Sequence, residues 1–382
     1  MMFTKSSPFY LKLTLVLLML SVIGGLIFIG QDIIIPLAFA ILLAVLLLPF
    51  NTYLEKKRVP RVLAIIISLT LSIVFIGGVI YFLSSQIARF MNDVPAIKEH
   101  LSGHAKTLQS WITHQFNITR VEQTTILDNA TEKIKNSGTG FLGDTFLSFT
   151  QGVMVVILLP VYSFLILYYR SMIKQFLIAV FKNENAEKVK DVLHQSKFIV
   201  QGYMMGLIIE MGIVAAINAA GFAIVGIKYA VFLGVLAAIL NMIPYIGMLI
   251  ASVFCMLITL TTSTHMSDVV WVAVILIVVQ FIDNNIIMPK VVSAKVKINA
   301  LITILGVLIG GALAGVSGMF LSIPGIAILK VIFDRVEDLQ PWGILLGDDI
   351  TGSKKNPLFL KIESIGHKFI TPSPVKPTTL PE

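Results

Sequence analysis

The feature that most constrains this chain is a series of long apolar runs that contain no Asp, Glu, Lys or Arg. Residues 13–30 and 33–50 form runs of 18, residues 62–88 a run of 27 and residues 145–169 a run of 25. A helix needs about 20 apolar residues to cross a bilayer. Only 13% of the 382 residues are charged and 56% are hydrophobic, so a soluble fold could not cover this hydrocarbon. The chain is predicted to be an all-α polytopic membrane protein.

Two further runs are too long for a single crossing. Residues 229–267 are interrupted by the segment Asn-Met-Ile-Pro-Tyr-Ile-Gly at 241–247, and residues 298–329 by several glycines and a proline. Proline removes a backbone donor and glycine is a poor helix former, so each run is predicted to fold back as a re-entrant hairpin. Six full spans accompany the two hairpins. The predicted breaks or hinges are Pro244, Gly247, Pro289 and Pro324, and two GxxxG spacings typical of close helix packing comprise Gly306, Gly310, Gly311 and Gly315.

The net charge of +8 is concentrated in short segments between the apolar runs. Basic residues cluster near the N-terminus and within residues 51–61, 170–197 and 290–297. Clusters of this kind mark the cytoplasmic loops of membrane proteins, so they indicate topology and not nucleic-acid binding. All four lie on one side if each long run returns to the side from which it entered. Both termini are therefore predicted to be cytoplasmic.

These observations predict an ordered series of segments along the chain. The three N-terminal transmembrane helices occupy residues 1–88, and an extracytoplasmic helical segment of mixed polarity follows. A fourth transmembrane helix leads into cytoplasmic amphipathic helices and then into a C-terminal transmembrane core that holds both hairpins. The end of the cytoplasmic tail is rich in proline and is predicted to be disordered. The boundaries after residue 88 are 89–144, 145–169, 170–197, 198–335 and 336–382.

A few polar residues within the apolar runs are the candidates for function. Glu210 and Asp283 are ionisable, and such a group costs about 2.5–3.5 kcal/mol at the centre of a membrane helix unless it faces a partner or water. Gln280 and Asn284 share a helix face near Asp283, and Asn241 lies at the first hairpin break. We expect these five residues to line a transport pathway or an ion site. The alternative for the Asp283 group is an ordinary helix end at the membrane interface.

Enzyme signatures are missing from the sequence. It contains no HExxH zinc motif, no Walker phosphate loop and no GxSxG nucleophile elbow. His100 and His104 have the spacing of a metal pair, but no nearby Cys completes a site, so we interpret them as part of a solvated helix face. We therefore expect no enzyme, no bound metal and no cofactor.

The order of motifs in residues 198–335 resembles the AI-2E (autoinducer-2 exporter-like) family of bacterial inner-membrane transporters. The resemblance is carried by the segment at 241–247, by Gln-Phe-Ile-Asp-Asn-Asn-Ile-Ile-Met-Pro-Lys at 280–290, and by the glycine-rich stretch at 310–324. It implies a transporter in the bacterial inner membrane that forms homo-oligomers. Some relatives resemble exporters of autoinducer-2 and others resemble Na⁺(Li⁺)/H⁺ antiporters, and spacing does not choose between these cargoes.

The leading hypothesis is a secondary transporter driven by an ion gradient. Asp283 and Glu210 would bind H⁺ or Na⁺, because oxygen ligands suit hard cations. Its partners would be the lipid bilayer and a small solute, an ion or both. The alternative is a non-transporting membrane scaffold that acts through residues 89–144 and 170–197. An intramembrane enzyme is a third and more distant hypothesis.

Overall fold

The computed structural model describes residues 9–93, 157–181, 185–293 and 298–348. All regular structure in these ranges is helical, which confirms the predicted all-α polytopic class. The helices are α1 (Phe9–Ile29), α2 (Gln31–Lys56), α3 (Arg61–Asn92), α4 (Ile157–Val180), α5 (Ala186–Val225), α6 (Ala230–Asn241), α7 (Ile246–Thr262), α8 (Met266–Ile282), α9 (Ala300–Arg335) and α10 (Gln340–Leu346). Two π-helical turns, Asp283–Ile287 and Pro289–Ser293, extend α8, and a 3₁₀ turn, Glu337–Leu339, precedes α10.

Six of the described helices are long and apolar enough to cross a membrane: α2, α3, α4, α5, α9 and α8 with its extension. Large apolar side chains such as Val74 and Phe75 are exposed along them, as expected for surfaces that face lipid. The predicted extracytoplasmic segment lies outside the described residues beyond Asp93, and so does the end of the tail. Within the predicted cytoplasmic segment 170–197, α4 ends at Val180 and α5 begins at Ala186.

The first long run contains two helices, α6 and α7, joined by a tight turn at residues 242–245. With 12 residues α6 is about 18 Å long, which is too short for a hydrocarbon layer about 30 Å thick. Tyr245 has a φ of 64° and a ψ of −43°, and the amide of Ile246 donates to the carbonyl of Pro244 at 2.7 Å. This is a strained γ-turn. The predicted breaks flank it, with Pro244 inside the turn and Gly247 in the first turn of α7.

The second long run reverses its direction inside α9. Ala314 and Gly315 leave the helical conformation, and Gly315 has a φ of 59° and a ψ of −145°. A Cβ added at Gly310 would collide with the carbonyl of Gly318. Eight residues of straight helix would separate these two positions by about 12 Å, so the chain must fold back between them.

Pro324 does not break the helix, contrary to the prediction from sequence. Pro324 is buried inside the returning arm of α9, and the helix passes through it. A proline removes one backbone hydrogen bond but keeps a helical φ, whereas the positive φ at the reversal favours glycine.

The four glycines of the GxxxG spacings lie in the first arm and at the reversal. Gly306 contacts the side chain of Ile326 across the hairpin.

Ion pairs group the helix ends on two sides of the molecule. On one side they join the end of α2 to α4, and the start of α5 to the end of α9 and the 3₁₀ turn. On the other side Lys228, after α5, pairs at 2.5 Å with Asp93, after α3. Because α3 and α5 end together at Asp93 and Lys228, they also start on one common side. The pairs of the first side are Arg170–Glu55 at 2.5 Å, Lys188–Glu337 at 2.9 Å and Arg335–Asp191.

Candidate functional site

Three elements bring polar side chains together in the interior of the C-terminal core. Glu210 comes from the middle of α5, Asp283 from the first π-helical turn after α8, and Asn241 from the last residue of α6. The side chains of Glu210 and Asp283 are buried, with 8% and 2% of their residue surface exposed. The structure therefore joins three of the five residues that the sequence singled out.

The two carboxyl groups face each other within side-chain hydrogen-bonding range. Asn241 donates from Nδ2 to Oδ2 of Asp283 at 2.9 Å. The remaining buried oxygens, Oε2 of Glu210 and Oδ1 of Asp283, receive no hydrogen bond. Among the described residues no Lys, Arg or His forms a salt bridge with either carboxyl. The pair is thus a cluster of buried oxygen acceptors in which the one polar donor described is the amide of Asn241.

The carboxyl pair lies deep in the bundle on both helices. Glu210 is 15 residues before the end of α5, and Asp283 is 17 residues after the start of α8. At a rise of 1.5 Å per residue these positions are about 22 and 25 Å from the side marked by Asp93 and Lys228. The two depths agree, and they place the pair inside a layer about 30 Å thick, about 5–8 Å from its other surface. Asp283 directly follows the last residue of α8, as the helix-end alternative has it, but its side chain is buried against Glu210.

A small cavity next to Asn241, the hydrogen-bond donor to Asp283, is bordered by three amide side chains. Asn218, Asn241 and Gln280 line it, and it has room for about one water molecule. Asn218 is 2% exposed and its Oδ1 has no hydrogen-bond partner. It was not among the predicted site residues, although it lies two helical turns after Glu210 on the buried face of α5. The i, i+4, i+8 spacing of Glu210, Val214 and Asn218 is the sequence signal that could have identified this face.

The backbone around Asp283 is unusual because the helix widens into π-helical turns. Such turns are rare in proteins, and those that occur are often found at functional sites. Pro289, a predicted hinge, begins the second of the two turns. Gly206 on α5 lies directly against this turn, where an added Cβ would be 2.7 Å from the carbonyl oxygen of Val291. The close approach of α5 holds the Asp283 segment against Glu210.

Asn284 does not join the site. It is exposed, and its Oδ1 accepts a 3.0 Å hydrogen bond from Nε2 of Gln280, so these two residues share a face as their i, i+4 spacing predicts. Gln280 itself is half-buried and connects this outer face with the amide-lined cavity. In the described part of the chain, no group of three or more His, Cys, Asp or Glu side chains could hold a metal ion.

The sequence model of the AI-2E family transporter matches residues 15–338. The chain belongs to the AI-2E transporter family. It is 26% identical to YrrI of Bacillus subtilis over 313 residues, and this match covers 79% of this chain and 86% of YrrI. It is also 25% identical to the AI-2 transport protein TqsA of Escherichia coli over 343 residues, and this match covers 88% of this chain and 96% of TqsA. The protein is therefore a multi-pass membrane transporter.

Proposed function

We propose that this AI-2E family member is an ion-coupled secondary transporter in which Glu210 and Asp283 form the coupling site. The observation that supports this most is the direct contact of two buried carboxyl groups that have no cationic partner among the described residues. Two adjacent negative charges repel each other strongly where the dielectric constant is low. Binding of H⁺ or of a small cation such as Na⁺ relieves this repulsion, so occupancy of the pair is linked to its geometry.

The re-entrant hairpin supplies the mobile part of this mechanism. Its tip carries Asn241, which donates to Asp283 and borders the cavity. Broken helices that end in the membrane interior are typical of secondary transporters, where they open the site to one side and then to the other. We propose that loading and unloading of the pair change the position of the tip. The strained turn at Tyr245 is the place where the backbone can relax during this change.

The cargo and the orientation are further parts of the proposal. The name of TqsA assigns AI-2 transport to that relative. By analogy we propose either a small polar solute of the autoinducer-2 type, or Na⁺ or Li⁺ exchanged for H⁺. The basic segments at 51–61, 170–197 and 290–297 support cytoplasmic termini in a bacterial inner membrane.

Flux measurements on purified protein in liposomes test this function. Na⁺, Li⁺ and autoinducer-2 are offered separately while a pH gradient is imposed, and protein-free liposomes give the background. We expect gradient-dependent movement of at least one of the three, and a loss of that movement in Asp283→Asn. The control is Asp32→Asn, which changes an exposed carboxyl in the first turn of α2. No flux above background, or gradient-dependent flux equal to wild type in Asp283→Asn, would overturn the proposal.

A further inference from the structure

An apolar groove of about 520 Å³ lies far from the carboxyl pair, at the end of the bundle that holds the start of α5 and the end of α9. It is formed where the end of α4, the start of α5 and the end of α9 meet. Its walls carry Leu177, Phe181, Val189 and Ile332, and Lys188, Glu337 and Asp338 lie among its charged lining residues. Its volume is in the range of small-molecule sites, and its apolar lining is typical of grooves that bind one face of an amphipathic helix.

The groove lies beyond the layer occupied by the transmembrane spans. Arg170 pairs with Glu55 next to the basic segment at 51–61, which marks the edge of the membrane on this side. Leu177 and Phe181 follow Arg170 by 7 and 11 residues, or about 10 and 16 Å along α4. The groove is therefore in contact with water. An apolar surface of this kind in water usually marks an interaction site.

The last described residues bring the chain to the side of this groove. After α9 the short helix α10 folds back, and an added Cβ at Gly343 would lie 3.1 Å from the backbone nitrogen of Asp334. At Gly347 an added Cβ would lie 3.6 Å from Cε of Lys330. Lys330 and Asp334 are each two residues from Ile332, so α10 packs on the side of α9 that faces away from the groove. The described structure thus ends at Asp348 beside the helix that forms one wall of the groove, about one helix diameter, or about 10 Å, from the groove itself.

The sequence that follows has a suitable apolar pattern. Leu358, Ile362, Ile365 and Phe369 are spaced i, i+4, i+7 and i+11, which is the spacing of one face of a helix. Leu358 follows Asp348 by ten positions, and ten extended residues can span about 33 Å.

Charge also favours this segment as the occupant. Residues 354–368 contain Lys354, Lys355, Lys361 and Lys368 against one acidic residue, Glu363. Asp338, which lines the groove, has no salt-bridge partner within the described ranges, and Lys188 is already paired with Glu337. A basic segment with an apolar face thus complements a groove whose free charge is negative.

We propose that residues 358–369 of this chain dock their apolar face into the groove between α4, α5 and α9. Docking covers the apolar walls and places lysines of the tail near Asp338. It also ties the start of α5, the helix that carries Glu210, to the end of the second hairpin. The tail then acts as a clamp on two elements of the transmembrane core.

Cysteine cross-linking in the full-length protein tests the docking in native membranes. Cys255, which is buried, is first replaced by Ala, and Val336→Cys places a thiol at the groove, where Val336 is 39% exposed. A second cysteine is placed on the apolar face, at Ile362 or Ile365, or on the opposite face, at Glu363 or His367 as matched controls. We expect cross-linking several-fold higher from the apolar face. Equal yields from both faces, or no cross-linking, would overturn the proposal.

Two further measurements separate this occupant from others. Co-expression of two differently tagged copies, each with one of the cysteines, detects docking between molecules, and a predominant link between copies would contradict docking within one chain. In the second measurement, Ile362→Asp combined with Ile365→Asp should make the Val336→Cys thiol react several-fold faster with a water-soluble maleimide. The control His367→Asp should leave the rate unchanged. A thiol that is equally protected in the double variant has a lipid or another occupant over it, and the proposal fails.

Discussion

Asn241, at the tip of the re-entrant hairpin, donates a 2.9 Å hydrogen bond to Asp283, whose carboxyl group also faces Glu210 on α5. One carboxyl therefore contacts both the hairpin and the opposite helix. A change in the charge of the pair must alter the contact with Asn241. This relationship is the physical link that we propose between ion binding and movement of the hairpin.

Replacing Asn241 with Ala should destabilise the protein and impair its transport. The substitution leaves the buried Oδ2 of Asp283 without a donor, which costs about 1–3 kcal/mol. Denaturant unfolding of the purified protein in detergent measures the loss. Asn285→Ala is the matched control because Asn285 is exposed and bonds only the backbone of Phe281, so its effect should stay within about 0.5 kcal/mol. Equal stabilities of the two variants would contradict the assigned role of Asn241.

Two glycines on α5 provide a test of the close approach at the site. Gly206→Ala should cost about 1–3 kcal/mol because its Cβ would lie 2.7 Å from the carbonyl oxygen of Val291, in the π-helical turn. Gly212→Ala, on the same helix, meets no atom within 4 Å and should be neutral or stabilising by up to about 1 kcal/mol. Unfolding midpoints of the two variants give the comparison. A harmless Gly206→Ala would mean that α5 does not hold the π-helical turn as described.

The reversal in α9 predicts a similar contrast between two other glycines. Gly315→Ala forces a side chain into a backbone conformation with φ 59° and ψ −145°, which should cost about 1–3 kcal/mol. Gly325→Ala lies in the regular returning arm with open space around it and should not destabilise. Thermal unfolding followed by loss of helical circular dichroism distinguishes the variants. If both are tolerated equally, the chain does not reverse at Gly315.

The contact between α3 and the α5–α6 turn should depend on pH in the acid range. The hydrogen bond from Lys228, followed by that from Tyr229, lowers the pKa of Asp93 below its usual value. A lowered pKa in the folded state means that the stabilisation is complete above the unfolded pKa, about 3.9, and is lost as the pH falls through the folded pKa. Asp93→Asn should therefore be less stable than wild type at pH 7, and the difference should shrink in acid. A difference that does not change with pH would contradict an ionic contact.

The same cluster has a second, alkaline limit. Burial, and next the hydrogen bond to Asp93, raise the pKa of Tyr229 to about 12. The stabilisation from this raised pKa is present below about pH 10, where a free tyrosine titrates, and is lost as the pH rises through about 12. Ultraviolet titration of wild type and Asp93→Asn should show one tyrosine that ionises at lower pH in the variant. Identical titration curves would separate Tyr229 from Asp93.

Several features of the fold followed from sequence because each has a local physical cause. The absence of charge over bilayer-length runs identified the spans, and Pro244 and Gly247 marked the first hairpin because they disfavour a continuous helix. Pro324 was wrong as a break because proline tolerates a helical φ when its neighbours pack around it. The reversal at Gly315 depends on a positive φ, and a run with glycines at 306, 310, 311, 315 and 318 does not indicate which of them adopts it.

The candidate site was predictable in its charges but not in its geometry. Glu210 and Asp283 were conspicuous because ionisable groups are costly in hydrocarbon. Their contact depends on the packing of α5 against the π-helical turns, which no periodicity of 3.6 residues predicts. Asn284 shares a face with Gln280, as their spacing predicts, but it is exposed because burial depends on which neighbouring helices cover that face. Asn218 was missed because its burial results from the packing of α6 and α8 on α5.

The most direct test of the central claim separates coupling from transport in proteoliposomes loaded with whichever cargo shows flux. Accumulation driven by an imposed pH or Na⁺ gradient is compared with exchange of labelled for unlabelled cargo in the absence of a gradient. We expect Glu210→Gln and Asp283→Asn to lose gradient-driven accumulation while exchange persists in at least one of them. We expect Asp32→Asn to retain both. Gradient-driven accumulation at the wild-type level in both Glu210→Gln and Asp283→Asn would contradict a coupling role for the carboxyl pair.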